Sequence, residues 1–251
     1  KLSNSNIISL IIMGNHDYRR IGTNFTSAIN SLSAKEYPNV RILLNPEVIS
    51  IQKDNEKTNV LLIPFRDRKM YSGKTTKEVC DQFAEHMTSL LENCSNDPTV
   101  AIGHNFYFDG SYNHYGGEEI FVYPSTFKKC DFIAMGHYHD FKIISKREPL
   151  AIYTGSMEKL NFGDKDNTKY FIEYDTVSKK PKAIKVPSRK LLDLHLDFSK
   201  INSDDYMAEI FSELSKIDLS DAIVRLKISI NENKRIFIKT NEIEKMLYSN
   251  N

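Results

Sequence analysis

The chain has 251 residues, 40% hydrophobic and 27% charged, with a formal net charge of +1. That length suits one large domain, or a large one with a small one, and the near-neutral balance excludes a global basic field for nucleic acid, so such binding must come from local patches. No run approaches the length of a membrane span and no signal-peptide pattern opens the chain, while three scattered cysteines (Cys80, Cys94, Cys130) without metal-type spacing argue for a reducing compartment rather than a disulfide framework.

In chain order, residues 7–13 form a short continuous apolar run closed by Gly14 and predict a buried strand. Residues 23–32 predict a short helix, and residues 40–44, 48–52 and 60–63 predict strands with turn-rich joints. Over residues 75–92 the apolar positions Val79, Phe83, Met87, Leu90 and Leu91 recur at helical spacing, the clearest helix in the chain. Residues 100–103 and 131–136 predict strands that each end in Gly-His, and residues 141–145, 151–154, 170–174 and 183–186 predict further strands. A basic, Pro-punctuated stretch follows, Lys179-Lys180-Pro181-Lys182 and Pro187-Ser188-Arg189-Lys190. Beyond it, residues 191–198, 203–216, 222–230 and 241–247 read strand, helix, strand, helix. The expected division is therefore a domain over 1–188 and a smaller α+β one over 189–251.

Three strand ends share one design: Asn15-His16 after the first strand, Gly103-His104 after a middle one, and Gly136-His137-Tyr138-His139 after a later one. In an open α/β sheet, ligands collect beyond the carboxyl ends of the strands, where loops diverge and side chains converge. The glycines are expected to let the backbone turn sharply there. In Gly-His-x-His, strand alternation would put both imidazoles on one side. Imidazole nitrogens with an amide oxygen suit manganese, iron or zinc and are poor for calcium. Each piece alone has a plain explanation, since a lone Gly-His at a strand end is usually a turn histidine. His86, in the predicted helix, and His195, in the late strand, read as structural or solvent-facing, and His114 as a loop residue. Three such strand ends in one chain point to a shared metal site.

Taken in order, Gly14-Asn15-His16-Asp17, Gly103-His104 and Gly136-His137-Tyr138-His139 resemble the motifs of the calcineurin-type metallophosphoesterases. The stretch from Tyr153-Thr154-Gly155-Ser156 to Phe162-Gly163-Asp164 resembles a segment of the SbcD-type DNA exonucleases, as do Asp131-Phe132-Ile133-Ala134-Met135-Gly136-His137 and Asp221-Ala222-Ile223-Val224-Arg225-Leu226. The resemblance implies a four-layer α/β/β/α sandwich followed by a small α+β cap that presents DNA. It implies two divalent metal ions, manganese by family habit. Asn15, His104 and His137 would hold one of them and His139 the other. His16 would sit beside the scissile phosphate as its acid or charge stabiliser, and Asp17 would orient His16 through a hydrogen bond. The implied activity is DNA exonuclease or endonuclease hydrolysis in repair and recombination, alongside an SMC-like ATPase of the SbcC type. A homodimer and a cytoplasmic, nucleoid-associated setting follow for a bacterial or phage protein.

The family's first two motifs, Asp-x-His and Gly-Asp-x-x-Asp, are expected before residue 7 and are not in the sequence. Asp193-Leu194-His195 has the first motif's letters in the wrong place, and Gly163-Asp164-Lys165-Asp166 has the wrong spacing for the second. With Lys1 in place of Met at the start, this fits a fragment whose parent is active while the 251 residues alone are inactive and hold at most one metal weakly. Lys182, Lys185 and Arg189 lie in the densest basic stretch and are the candidate DNA contacts, with a solvated connector as the plain alternative. Two other functions stay open: hydrolysis of a small phosphodiester or phosphomonoester, and a non-enzymatic scaffold on the same fold.

Overall fold

The computed structural model describes residues 7–21, 24–27, 29, 32, 37–104, 106–107, 120–147, 149–203 and 205–249. They form a mixed α/β chain that divides into two compact units, Lys1–Ser156 with Tyr170–Ile184, and Met157–Lys169 with Lys185–Asn251. The segment Met157–Lys169, which the sequence reading left in the larger domain, clusters with the smaller unit. Among the described residues no helix is long and apolar enough to cross a membrane.

The first unit starts with β1 (Ser9–Ile12), then β2 (Tyr18–Ile21) and β3 (Asn24–Ser27), an antiparallel pair in the register Ile21↔Asn24. This pair corrects the helix expected over residues 23–32. Only two residues, Gly22-Thr23, join Ile21 to Asn24, and a two-residue connection led by Gly is a hairpin signal. The rest of that expected helix lies largely outside the described residues.

Next come β4 (Val40–Leu43), β5 (Glu47–Lys53), β6 (Glu56–Ile63), α1 (Thr76–Glu92) and β7 (Thr99–Gly103). A short parallel pair, β8 (Phe106–Tyr107) with β9 (Phe121–Val122), lies where the sequence suggested only loop, and His114 falls outside the described residues. Then follow β10 (Phe132–Met135), β11 (Lys142–Ser145), β12 (Leu150–Tyr153), β13 (Lys169–Asp175) and β14 (Lys180–Val186). Six of these strands make one sheet in the order β11-β12-β10-β7-β6-β5. Its four central strands are parallel and its two edges antiparallel. Central parallel strands are largely covered on both faces, which is why the second half of β6, from Val60 to Ile63, and β10 read as apolar runs.

One face packs against α1. Thr75 caps that helix, its hydroxyl accepting from Glu78 N at 3.2 Å while Glu78 accepts in return from Thr75 N at 3.1 Å. Val79, Phe83 and Met87 of α1 meet Leu61, Ile63, Ala101, Ile133 and Met135 of the sheet, all fully buried. Each large side chain withdrawn from water here contributes about 1.5–3 kcal/mol. The opposite face carries a second layer of strands in two patches. The parallel pair β1-β4 packs Leu10, Ile12 and Leu43 on Val60 and Leu62. Ile172 and Tyr174 of β13 pack on Val100, Phe132, Ala134 and Ile152, with the Phe132 and Tyr174 rings stacked at 4.2 Å.

The cysteines belong to this packing. Burial pushes the Cys130 thiol up to about 12 and also raises Cys80, while Cys94 is half-exposed. At pH 8 a thiol-reactive disulfide should therefore modify Cys94 slowly in the native protein, and Cys80 and Cys130 only after denaturant is added. Three rapidly labelled thiols in the native protein would contradict this packing.

In the second unit β15 (Lys190–Asp197) and β16 (Ala222–Ser229) pair in parallel, followed by α3 (Thr240–Ser249), and α2 (Tyr206–Leu214) lies between the strands in sequence. Leu194, Leu196, Leu226 and Ile228 face a core of Phe198, Tyr206, Ile210, Leu214 and Ile243. The alternate residues point outward, where Arg225 binds Asp193 through two bonds of 2.8 and 2.5 Å and the exposed His195 meets Ser229 Oγ at 2.7 Å. Helix α2 starts later than expected: its cap is Asp205, which accepts from Ala208 N at 3.0 Å, and Ser203 instead donates to Glu209.

Candidate metal centre

The hydrogen-bond ladder of the first unit continues past its strand ends. Phe65 N donates to Met13 O (2.7 Å), His104 N to Ile63 O (2.9 Å), Gly136 N to Gly103 O (2.8 Å) and Thr154 N to Met135 O (2.9 Å). These four bonds draw the carboxyl ends of β1, β6, β7, β10 and β12 to one edge.

Three of the expected metal ligands meet there. Asn15 Oδ1 lies 3.0 Å from His104 Nε2, and the His137 ring stands edge-on to His104 with centroids 5.3 Å apart. Burial is the main cause that pushes His104 down to about 4, with the charge of Asp17 opposing and those of His16 and His139 adding to it. Burial likewise takes His137 to about 4, assisted by His104, His139 and His16. His104 and His137 thus each feel the charges of His16 and His139, and both half-buried rings are neutral near pH 7.

These residues fit part of a metal's coordination set. Two ligand atoms each about 2.1 Å from one ion and at right angles are about 3.0 Å apart, which matches the Asn15–His104 separation. Among the described residues no group of three or more His, Cys, Asp or Glu side chains could by itself hold an ion.

The glycines serve a different purpose from the one expected. A Cβ on Gly14 would lie 3.1 Å from His104 Cε1, and one on Gly136 only 2.9 Å from His104 Nδ1. Neither is in the left-handed region; among the described glycines only Gly155 is, at φ +74°. Gly14 and Gly136 therefore provide room for the His104 ring, rather than a sharp turn.

Two further expectations need correction. Asn15–Asp17 form a single 3₁₀ turn in which Asp17 Oδ2 accepts from Gly14 N at 2.9 Å, and no hydrogen bond joins Asp17 to His16 among the described residues. Its carboxylate reaches back three residues to close the turn, leaving His16 exposed. The Gly-His-Tyr-His segment is also not strand, because β10 ends at Met135 and His137 has φ +79°. Tyr138 nonetheless turns away toward Tyr153, with centroids 5.4 Å apart. The sequence reading missed Phe65, whose ring stacks on His137 at 6.1 Å and meets Tyr18 at 5.7 Å. The available signal was an aromatic two residues beyond the end of β6.

Alternation along β14 puts Lys180 and Lys182 on one face of the strand and Lys185 on the other, both Lys182 and Lys185 exposed. Arg189 binds Glu158, through Nε at 3.4 Å and backbone N at 3.1 Å. Lys179 pairs with Asp131 at 2.6 Å and Lys190 with Asp218 at 2.8 Å. No protein-family model matches the chain.

Proposed function

We propose that the first unit is the core of a metallophosphoesterase sandwich of the SbcD type, and that its function is metal-dependent hydrolysis of DNA phosphodiesters. The observation that carries this reading is the 3.0 Å approach of Asn15 Oδ1 to His104 Nε2 beside His137, at the carboxyl ends of adjacent parallel strands. The α1 layer, the six-stranded sheet and the second layer of strands supply three of the four expected layers. In this reading Asn15, His104 and His137 hold one divalent ion, for which manganese is the proposed metal, and His139 contributes to a second. Such ions, when bound, would activate a water and neutralise phosphate charge. The imidazole of His16, exposed and within electrostatic reach of His104 and His137, is the proposed acid for the leaving oxygen. The exposed Lys182 and Lys185, on opposite faces of β14, are proposed as separate phosphate contacts that do not read sequence.

Metal binding by these 251 residues is the direct test, read from the loss of the aqueous Mn²⁺ electron-paramagnetic-resonance signal. One ion per chain is expected, with affinity lost in His104→Ala and in His137→Ala. Equal binding by both variants would overturn the site. Substrate class follows from activity compared on duplex DNA, single-stranded DNA and a chromogenic phosphodiester. Cleavage of the last with DNA left intact would favour a small-molecule esterase.

A further inference from the structure

His137 is not glycine, yet its φ of +79° lies in the left-handed region. A non-glycine residue persists there only when its surroundings hold it. The holding contacts come from the segment after β12. Thr154 donates to Met135 O from its backbone N at 2.9 Å and from Oγ1 at 3.4 Å, the hydroxyl also lying 3.3 Å from Gly155 O. Ser156 donates to His139 O from its N at 3.0 Å and from Oγ at 3.4 Å. The two carbonyls so engaged stand two residues before and two residues after His137. Between the two donors sits Gly155, itself left-handed. A Cβ there would fall 2.9 Å from Phe141 N and 3.1 Å from His139 O. Segment 154–156 is therefore pressed against the bend, and Gly155 is what permits the close approach.

We propose that Thr154 and Ser156 are positioning residues: through the carbonyls of Met135 and His139 they clamp the bend on both sides of His137 and keep its ring against His104. The proposal rests on the metal-centre reading. Any residue type but proline could supply the two backbone N–H bonds. The Ser156 hydroxyl adds a second donor to the His139 carbonyl, and the Thr154 hydroxyl shares its one proton between Met135 O and Gly155 O, which ties the clamp to these side chains. The histidine pose, rather than the stability of the unit, is what they secure, because the ladder bonds of β10 and β12 remain without them.

The test uses the 251-residue chain with Thr154→Val and Ser156→Ala, singly and together, and the conservative pair Thr154→Ser/Ser156→Thr. Three readouts are needed: Mn²⁺ affinity, the imidazole ¹⁵N resonances of His137 in metal-free protein, and the melting temperature. The double variant is expected to bind Mn²⁺ about ten-fold more weakly, with shifted His137 resonances and an almost unchanged melting temperature, and the conservative pair to restore both signals. Should the double variant fail to fold, Ser156→Ala alone is expected to show the same changes at smaller size. Unchanged affinity and resonances would overturn the proposal, as would a loss that the conservative pair does not restore. If His104→Ala leaves Mn²⁺ affinity untouched, the metal-centre reading fails, and the His137 resonances still decide whether the clamp holds.

Discussion

Asp164→Ala is expected to destabilise the second unit by about 3–5 kcal/mol, the cost of breaking a buried ion pair by removing one partner. Lys169 is 2% exposed and Asp164 7%, with Nζ and Oδ2 3.6 Å apart. The same Oδ2 accepts from Leu160 N at 2.9 Å, so the carboxylate both offsets a buried ammonium and closes the turn that contains Phe162. Asp164→Asn keeps an acceptor for Leu160 and loses only the charge, so it should cost less than Ala. Asp164→Leu/Lys169→Met removes both charges and should recover much of the loss, because the desolvation of two ions disappears with them. Urea unfolding followed in the second unit measures the series. A double variant no more stable than Asp164→Ala would show that the ion pair is not the source of the effect.

Asp164 also marks where sequence reading reached its limit. Phe162-Gly163-Asp164 carried part of a family resemblance, yet the side chain's visible role is local: it stabilises Lys169 and a turn. Motif letters report that a position is constrained, and contacts are needed to say by what. The elements that were legible had strong one-dimensional signals. Helix α1 combines a capping box with a clear apolar stripe, and the end of β6 (Val60 to Ile63), β7 and β10 are mostly apolar runs too short for helices. The β2-β3 hairpin was not legible because its residues carry no clean alternation, and Gly22-Thr23 was the only hint. Placement of Met157–Lys169 with the smaller unit is equally hidden, since it depends on long-range packing of a segment with only one short 3₁₀ turn before β13.

At the candidate site, the convergence of Asn15, His104 and His137 was legible because parallel strands carry their carboxyl ends to one edge. What failed were inferences about individual side chains. The resemblance implies that Asp17 orients His16, but a carboxylate three residues beyond a free backbone N–H closes the turn instead. Strand alternation was extended to His139, but the strand ends at Met135 and a left-handed residue breaks its period. That error comes from carrying a local rule past the element that justifies it.

That lesson bears on Gly136, whose expected turning role gives way to one of space, with a sharp consequence. Gly136→Ala is expected to weaken Mn²⁺ binding by about 10- to 100-fold, the range found when a group that orients a metal ligand is disturbed. The new Cβ would lie 2.9 Å from His104 Nδ1, closer than real contacts allow. The backbone has little freedom to yield, because Gly136 N is bonded to Gly103 O at 2.8 Å and His104 N to Ile63 O at 2.9 Å. The ring must therefore move, and it cannot move far toward Gly14, whose own backbone faces Cε1. Its Nε2 loses the 3.0 Å relation to Asn15 Oδ1 that makes the pair suitable for one ion. Gly136 is outside the left-handed region, so alanine adds no backbone strain and the melting temperature should fall only slightly. Gly14→Ala, with its nearest approach at 3.1 Å, should act in the same direction and less strongly. Isothermal titration of Mn²⁺ into the three proteins checks the order. Parent-like affinity in Gly136→Ala would mean that His104 does not ligate the ion, because no other donor of the set feels this contact so directly.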